Sequence, residues 1–175
     1  NSFLNKQYPE DKLKEICEYA LELMGYEGRI DKSEHPFSIV LGVNDNRITT
    51  RYNTLWDSIT GAMHEGGHGL YDSGVDLALA KTPLYDGTSL GIHESQSRFY
   101  EAIIGQSLPF LKHFYPKLQE KFPNELKGVP LGDFYRAVNI VQPTFVRSET
   151  CDEVTYNMHV VFRYEIEKDV FEGRL

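Results

Sequence analysis

His64-Glu65-Gly66-Gly67-His68, with His93-Glu94-Ser95 after it, is the stretch on which the reading of this chain turns. On an α-helix, residues four apart lie about 40° apart around the axis. His64 and His68 therefore project from one face and can reach one Zn²⁺, the arrangement that H-E-x-x-H zinc peptidases use. Glu65 is displaced around the helix, toward a water at the metal rather than the metal itself. A catalytic zinc takes three protein ligands and keeps its fourth position for water. Glu94 lies 26 residues beyond His68, far enough to return on a second helix as the third ligand.

H-E-x-x-H also arises by chance and on ordinary helical surfaces. Three local features weigh against that here. Trp56, Ile59, Met63 and Leu70 recur at helical spacing around the motif. Gly66, Gly67 and Gly69 each cost about 1 kcal/mol relative to alanine in a helix interior. A helix accepts that where its surface leaves room for a substrate backbone or a close-packed neighbour. The segment Ser89 to Gln106 reads as another helix, with Glu94, Ser97, Arg98 and Glu101 on one face. The same spacing describes a solvated salt-bridge face, and both readings of Glu94 stand at this point.

The 175 residues suffice for a single domain with a real core. A formal charge of −8 and a pI near 5.2 argue against nucleic acid or an anionic membrane as the main partner. No apolar run approaches the length of a membrane span. Cys17 and Cys151 lack metal-type spacing; a long-range disulfide is one reading, and reduced thiols in a cytoplasmic protein the preferred one.

Along the chain, Asp11 to Gly25 reads as an amphipathic helix between Pro9 and Gly25. Phe37–Val43 and Arg47–Tyr52 are β-rich runs separated by Asn44-Asp45-Asn46, which predicts a hairpin. The H-E-x-x-H helix is expected from about Thr54 to Tyr71, and a loop over 73–88. Further helices are expected at about Pro109–Lys121, Leu131–Val141 and Asp152–Glu172. The fold class is thus mainly α, a helical zinc-peptidase type with one small hairpin or sheet beside the active-site helix. That hairpin is either purely structural or an edge along which an extended peptide pairs. On the last helix Asp152, Tyr156, His159 and Arg163 form a polar stripe, either lining a groove or placing Tyr156 and His159 as hydrogen-bond donors to substrate. His93 and His35 read as structural or orienting groups and His113 as surface.

With these residues assembled, the chain resembles the M32 family of metallocarboxypeptidases, the thermostable carboxypeptidase 1 type. His35-Pro36-Phe37 is similar to the family's H-P-F, and Asp45-Asn46-Arg47-Ile48-Thr49 to its D-x-R-x-T. His64-Glu65-Gly66-Gly67-His68-Gly69-Leu70-Tyr71 is similar to H-E-x-G-H-x-L-Y, and His93-Glu94-Ser95-Gln96 to H-E-S-Q. Val146-Arg147 through Asp152 resembles the I-R-x-x-A-D region, one residue longer and with Cys151 in place of alanine. The family's chains are two to three times longer, so the resemblance implies a central zinc-binding portion without the N-terminal helices and C-terminal part.

The resemblance implies a carboxypeptidase. His64, His68 and Glu94 are expected to hold Zn²⁺, with Co²⁺ a suitable substitute, and Glu65 to be the general base. A free substrate carboxylate calls for arginine; the resemblance links Arg47 and Arg147 to the active site, and Tyr156 and His159 complete the substrate-binding set. The implied partners are a peptide with a free C-terminus and a second copy in a homodimer. Two alternatives stay open: a zinc endo-oligopeptidase of the same helical superfamily, and a non-catalytic zinc-binding or interaction fragment.

Overall fold

Leu13, Ile16, Cys17, Ala20 and Leu21 recur at helical spacing, and all are buried on helix α1 (Glu10–Met24). The helix closes at Gly25, whose φ of 79° is the left-handed conformation that glycine adopts without a Cβ clash. This is seen in a computed structural model, which describes residues 2–141 and 152–175. The chain divides into two compact units, Asn1–Tyr135 and Arg136–Leu175. The architecture is mainly helical with a small sheet, as expected.

In the first unit α1 packs on α2 (Leu55–Ser73) and on α4 (Leu108–Lys121). The core between them holds Leu55, Ile59, Ala62 and Met63 from α2 and Leu111, Phe114 and Leu118 from α4. Each of these side chains larger than alanine contributes about 1.5–3 kcal/mol on burial. Phe134 closes one end against Trp56, Tyr115 and Phe3, with ring centroids 5.6, 4.7 and 5.9 Å away. Three helices begin on side-chain caps: Thr54 on α2, Ser89 on α3 (Leu90–Arg98) and Ser107 on α4.

The predicted hairpin is present as β2 (Phe37–Gly42) and β3 (Asp45–Thr50), paired antiparallel. Its turn is shorter than the Asn44-Asp45-Asn46 reading: Asp45 already belongs to β3, and Asn44 takes a φ of 61°. The sheet also has a third strand, β1 (Arg29–Lys32), parallel to β3, giving the order β1-β3-β2. Asn46, Ile48 and Thr50 alternate as the buried face of β3, which lies over α2.

The predicted Ser89–Gln106 helix is not uniform. α3 ends at Arg98 and continues as a π-helical turn, Phe99–Ile104, with Gly105 N–H bonding the Tyr100 carbonyl at 2.9 Å. α5 (Leu131–Val138) is three residues shorter than expected. In the second unit α6 spans Tyr156–Phe171 and begins four residues later than expected. Asp152 instead holds the approach, its carboxylate accepting from the Val154 and Thr155 amides at 3.0 and 2.9 Å. Among the described residues no helix is long and apolar enough to cross a membrane.

Candidate active site

Gly66, Gly67 and Gly69 of the H-E-x-x-H helix serve three different neighbours of α2. A Cβ on Gly66 would meet the Leu21 side chain of α1, and one on Gly69 would lie 2.5 Å from the Tyr26 ring and 2.7 Å from Asn46 Oδ1. A Cβ on Gly67 would lie 2.8 Å from Ser97 Cα and 3.0 Å from the Gln96 carbonyl. That last contact is backbone, which cannot swing aside. The glycine cost read from the sequence therefore admits close-packed neighbours, and at Gly67 it brings the α3 backbone against the metal motif.

The approach carries Glu94 to the two histidines. Glu94 Oε2 lies 3.4 Å from His64 Nε2 and 3.4 Å from His68 Nε2. One ligand atom from each of the three residues falls within 4.8 Å of the others. For ligand bonds of about 2.0–2.1 Å, two corners of a tetrahedron stand about 3.3 Å apart. The donor set and its spacing fit a tetrahedral ion. Ser97 Oγ donates to Glu94 Oε2 at 3.0 Å and steadies the carboxylate.

Both imidazoles have their other nitrogen engaged. His64 Nδ1 lies 2.7 Å from Glu101 Oε2, and that oxygen also accepts from Arg98 Nη1 at 2.8 Å. His68 Nδ1 lies 2.7 Å from His93 Nδ1, and His93 Nε2 lies 2.8 Å from Asp72 Oδ1. The carboxylate behind His64 fixes that ring's tautomer and leaves its Nε2 for metal. The face holding Glu94, Ser97, Arg98 and Glu101 is therefore no solvated salt-bridge surface; it is turned onto α2. Glu101 sits in the π-helical turn that follows Arg98. Asp72, four residues past His68, has no motif to mark it.

Burial lowers the proton affinity of His64, but the Glu101 hydrogen bond and charge, with those of Glu94 and Glu65, outweigh it and raise its pKa. Glu65 is only 7% exposed. Burial pushes its carboxyl above the usual range; the His64 and His68 charges oppose this, and those of Glu94 and Glu101 reinforce it. Glu65, His68, His93 and Glu94 line an open cleft of about 660 Å³ whose other wall includes Phe37 and Ile39 of β2.

The remaining sequence candidates are placed differently. Arg47, on β3, donates from Nε and Nη2 to the Asp45 carboxylate, at 2.7 and 2.9 Å, and alternates away from Asn46, which reaches α2. It is not gathered into the cluster. Tyr156 and His159 lie on α6 in the second unit, ring centroids 6.4 Å apart. Arg147 and Cys151 fall outside the described residues. Cys17 is buried, with its thiol donating to the Ser58 carbonyl at 3.2 Å. His35 and His113 are exposed.

Comparison with known proteins agrees with this geometry. The family described as carboxypeptidase Taq (M32) metallopeptidase matches residues 1–175. The chain is 45% identical to carboxypeptidase 1 of Bacillus subtilis over 99% of its own length and 36% of that protein's. It is 43% identical to thermostable carboxypeptidase 1 of Thermus thermophilus over 99% of this chain and 35% of the relative. The crystal structure of an M32 carboxypeptidase from Deinococcus radiodurans superposes with a TM-score of 0.92 at 39% identity, covering 99% of this chain and 36% of that one. The chain thus spans about a third of the length of the curated relatives it matches. With a metal-type cluster at its centre and a match along its whole length, the chain belongs to the M32 metallopeptidase family.

Proposed function

We propose that this chain carries the zinc centre of a carboxypeptidase that releases C-terminal amino acids from peptides. The observation that carries the reading is the pairing of Glu94 Oε2 at 3.4 Å from both Nε2 atoms with hydrogen bonds that occupy both Nδ1 atoms. His64, His68 and Glu94 would hold Zn²⁺, or Co²⁺ in its place. When bound, the ion supplies Lewis acidity toward the scissile carbonyl and toward a water.

The protein's own part begins with Glu65. It takes the proton of the attacking water and hands it to the departing amine. Burial raises its proton affinity, which suits a group that must accept a proton near neutral pH. The peptide lies along β2, an edge strand among the described residues, whose Phe37–Val40 segment lines the same cleft. Backbone hydrogen bonds to that edge would hold any sequence. Recognition of the free carboxylate falls to Arg147 with Tyr156 and His159, and to Arg47 once it exchanges Asp45 for the substrate. A homodimer in the cytoplasm completes the proposal, on the family resemblance and the cysteine usage.

Replacing Glu65 by Gln is expected to retain zinc and to lower kcat/KM by about 10²–10⁴-fold; undiminished turnover sinks the assignment. Peptides with free and amidated C-termini then separate the carboxypeptidase from an endo-oligopeptidase, which cleaves both.

A further inference from the structure

Resting on the reading of His64, His68 and Glu94 as metal ligands, we propose that Asp72 is a positioning residue: acting through His93, it selects the tautomer in which His68 presents a lone pair to the metal. The contact between His68 Nδ1 and His93 Nδ1 is 2.7 Å. A nitrogen–nitrogen contact that short holds one proton, so one ring donates and the other accepts. Neither ring decides which. If His93 donates, His68 keeps its remaining proton on Nε2, facing Glu94, and is closed to metal.

Asp72 settles the direction. Its Oδ1 lies 2.8 Å from His93 Nε2, and an ionised carboxylate only accepts. A neutral His93 then carries its proton on Nε2 and offers Nδ1 as an acceptor. His68 donates from Nδ1, and its Nε2 lone pair points to the ligand side. The other oxygen, Asp72 Oδ2, faces Asn46 Nδ2 at 3.4 Å. The Tyr26 hydroxyl lies 3.1 Å from Asn46 Oδ1 and 3.2 Å from the Asn46 carbonyl, and the amide NH₂ is turned to Asp72. Both oxygens of Asp72 thus face donors. Asparagine at this position has one donor end and must turn it against His93 or against Asn46.

The surroundings keep the chain in one arrangement. The Tyr71 ring meets His93 edge-on at 4.9 Å, and a Cβ on Gly87 would lie 2.9 Å from His93 Cδ2. Gly69 lets Asn46 and Tyr26 reach α2 at all, since any side chain there would overlap both.

Nitrogen-15 histidine NMR of the metal-free protein reads each tautomer directly, and zinc titration against a chelator reads affinity. The wild-type spectrum should show His68 protonated at Nδ1 and His93 at Nε2. Asp72→Asn should move His68 toward the Nε2-protonated form, leave His64 unchanged, and lower zinc affinity about 10–100-fold. Asn46→Ala, which leaves the carboxylate on His93, should keep the His68 tautomer. A folded Asp72→Asn protein with wild-type tautomers and zinc affinity overturns the proposal. So does a wild-type spectrum with His68 protonated at Nε2, whether or not the variant folds. If the wild type takes up no zinc, the ligand reading fails on its own, while the tautomer measurement still confirms or overturns the part assigned to Asp72.

Discussion

His64 and His68 stand one helical turn apart on α2, yet they are held from behind in different ways. Behind His64 is a carboxylate in direct contact, Glu101, itself clamped by Arg98. Behind His68 is a second imidazole, and the carboxylate stands one bond further back on Asp72. The first support is local to the α3 segment and its π-helical turn. The second crosses from α3 back to the end of α2, on to Asn46 of β3, and from there to Tyr26. A charge one bond away strengthens a ligand's basicity, whereas a relayed one chiefly sets proton direction. What the two share is α3, which also delivers Glu94.

That shared dependence gives the largest expected effect. In Gly67→Ala the new methyl would stand 2.8 Å from Ser97 Cα, so α3 must retreat, taking Glu94, His93 and Glu101 with it. Both supports fail together. Zinc affinity should fall by more than the loss of either support alone, and overpacking should cost about 1–3 kcal/mol in denaturant melts. Helix propensity returns about 1 kcal/mol of this. Gly91→Ala is the contrast, because its Cβ would meet only Ser89 Oγ at 3.8 Å. It should be neutral or stabilising, and equal behaviour of the two variants would contradict the close-approach argument.

A smaller effect should separate the two histidines. Glu101→Gln keeps the size of the group behind His64 and removes its charge. Zinc affinity is expected to fall about 10–100-fold, with the His68 tautomer unmoved. A Glu101→Gln protein that binds zinc like the wild type would show that the carboxylate behind His64 does not strengthen that ligand.

Legibility in the sequence follows the same division. His64, His68 and Glu94 are readable because helical spacing and ligand chemistry are local properties of the chain. The buried faces of α1 and α2 are readable for the same reason. Spacing puts Glu101 on the right face but leaves it indistinguishable from solvated surface; its burial depends on how closely α3 approaches α2, and the cause is Gly67 on the other helix. Asp72 and Asn46 carry no motif, and their roles exist only because β3 crosses α2 at Gly69. β1 escapes a reading of the sequence because Arg29-Ile30-Asp31-Lys32 has neither β-branched enrichment nor an apolar alternation. It is a strand by virtue of its pairing with β3. Arg147 lies outside the described residues, so its proposed carboxylate contact rests on resemblance alone.

The smallest effect is expected at the far end of the longer support. Tyr26 donates to Asn46, and burial pushes its phenol up to about 12 from an ordinary value of 10.0. A group whose pKa is raised on folding lends stability that is whole below the unfolded value and is lost as pH climbs through the folded one. The contribution of Tyr26 is therefore intact at neutral pH and drains away between pH 10.0 and about 12. Tyr26→Phe removes the hydrogen bond at every pH and should cost about 1 kcal/mol near neutrality. Its deficit against the wild type should then close across that alkaline window, because the wild type alone has a proton there to lose. Zinc affinity should change only a few-fold, since the carboxylate on His93 stays in place. A deficit that held constant through the whole window would place the Tyr26 proton outside the folding equilibrium and shorten the relay behind His68 to Asp72 and Asn46.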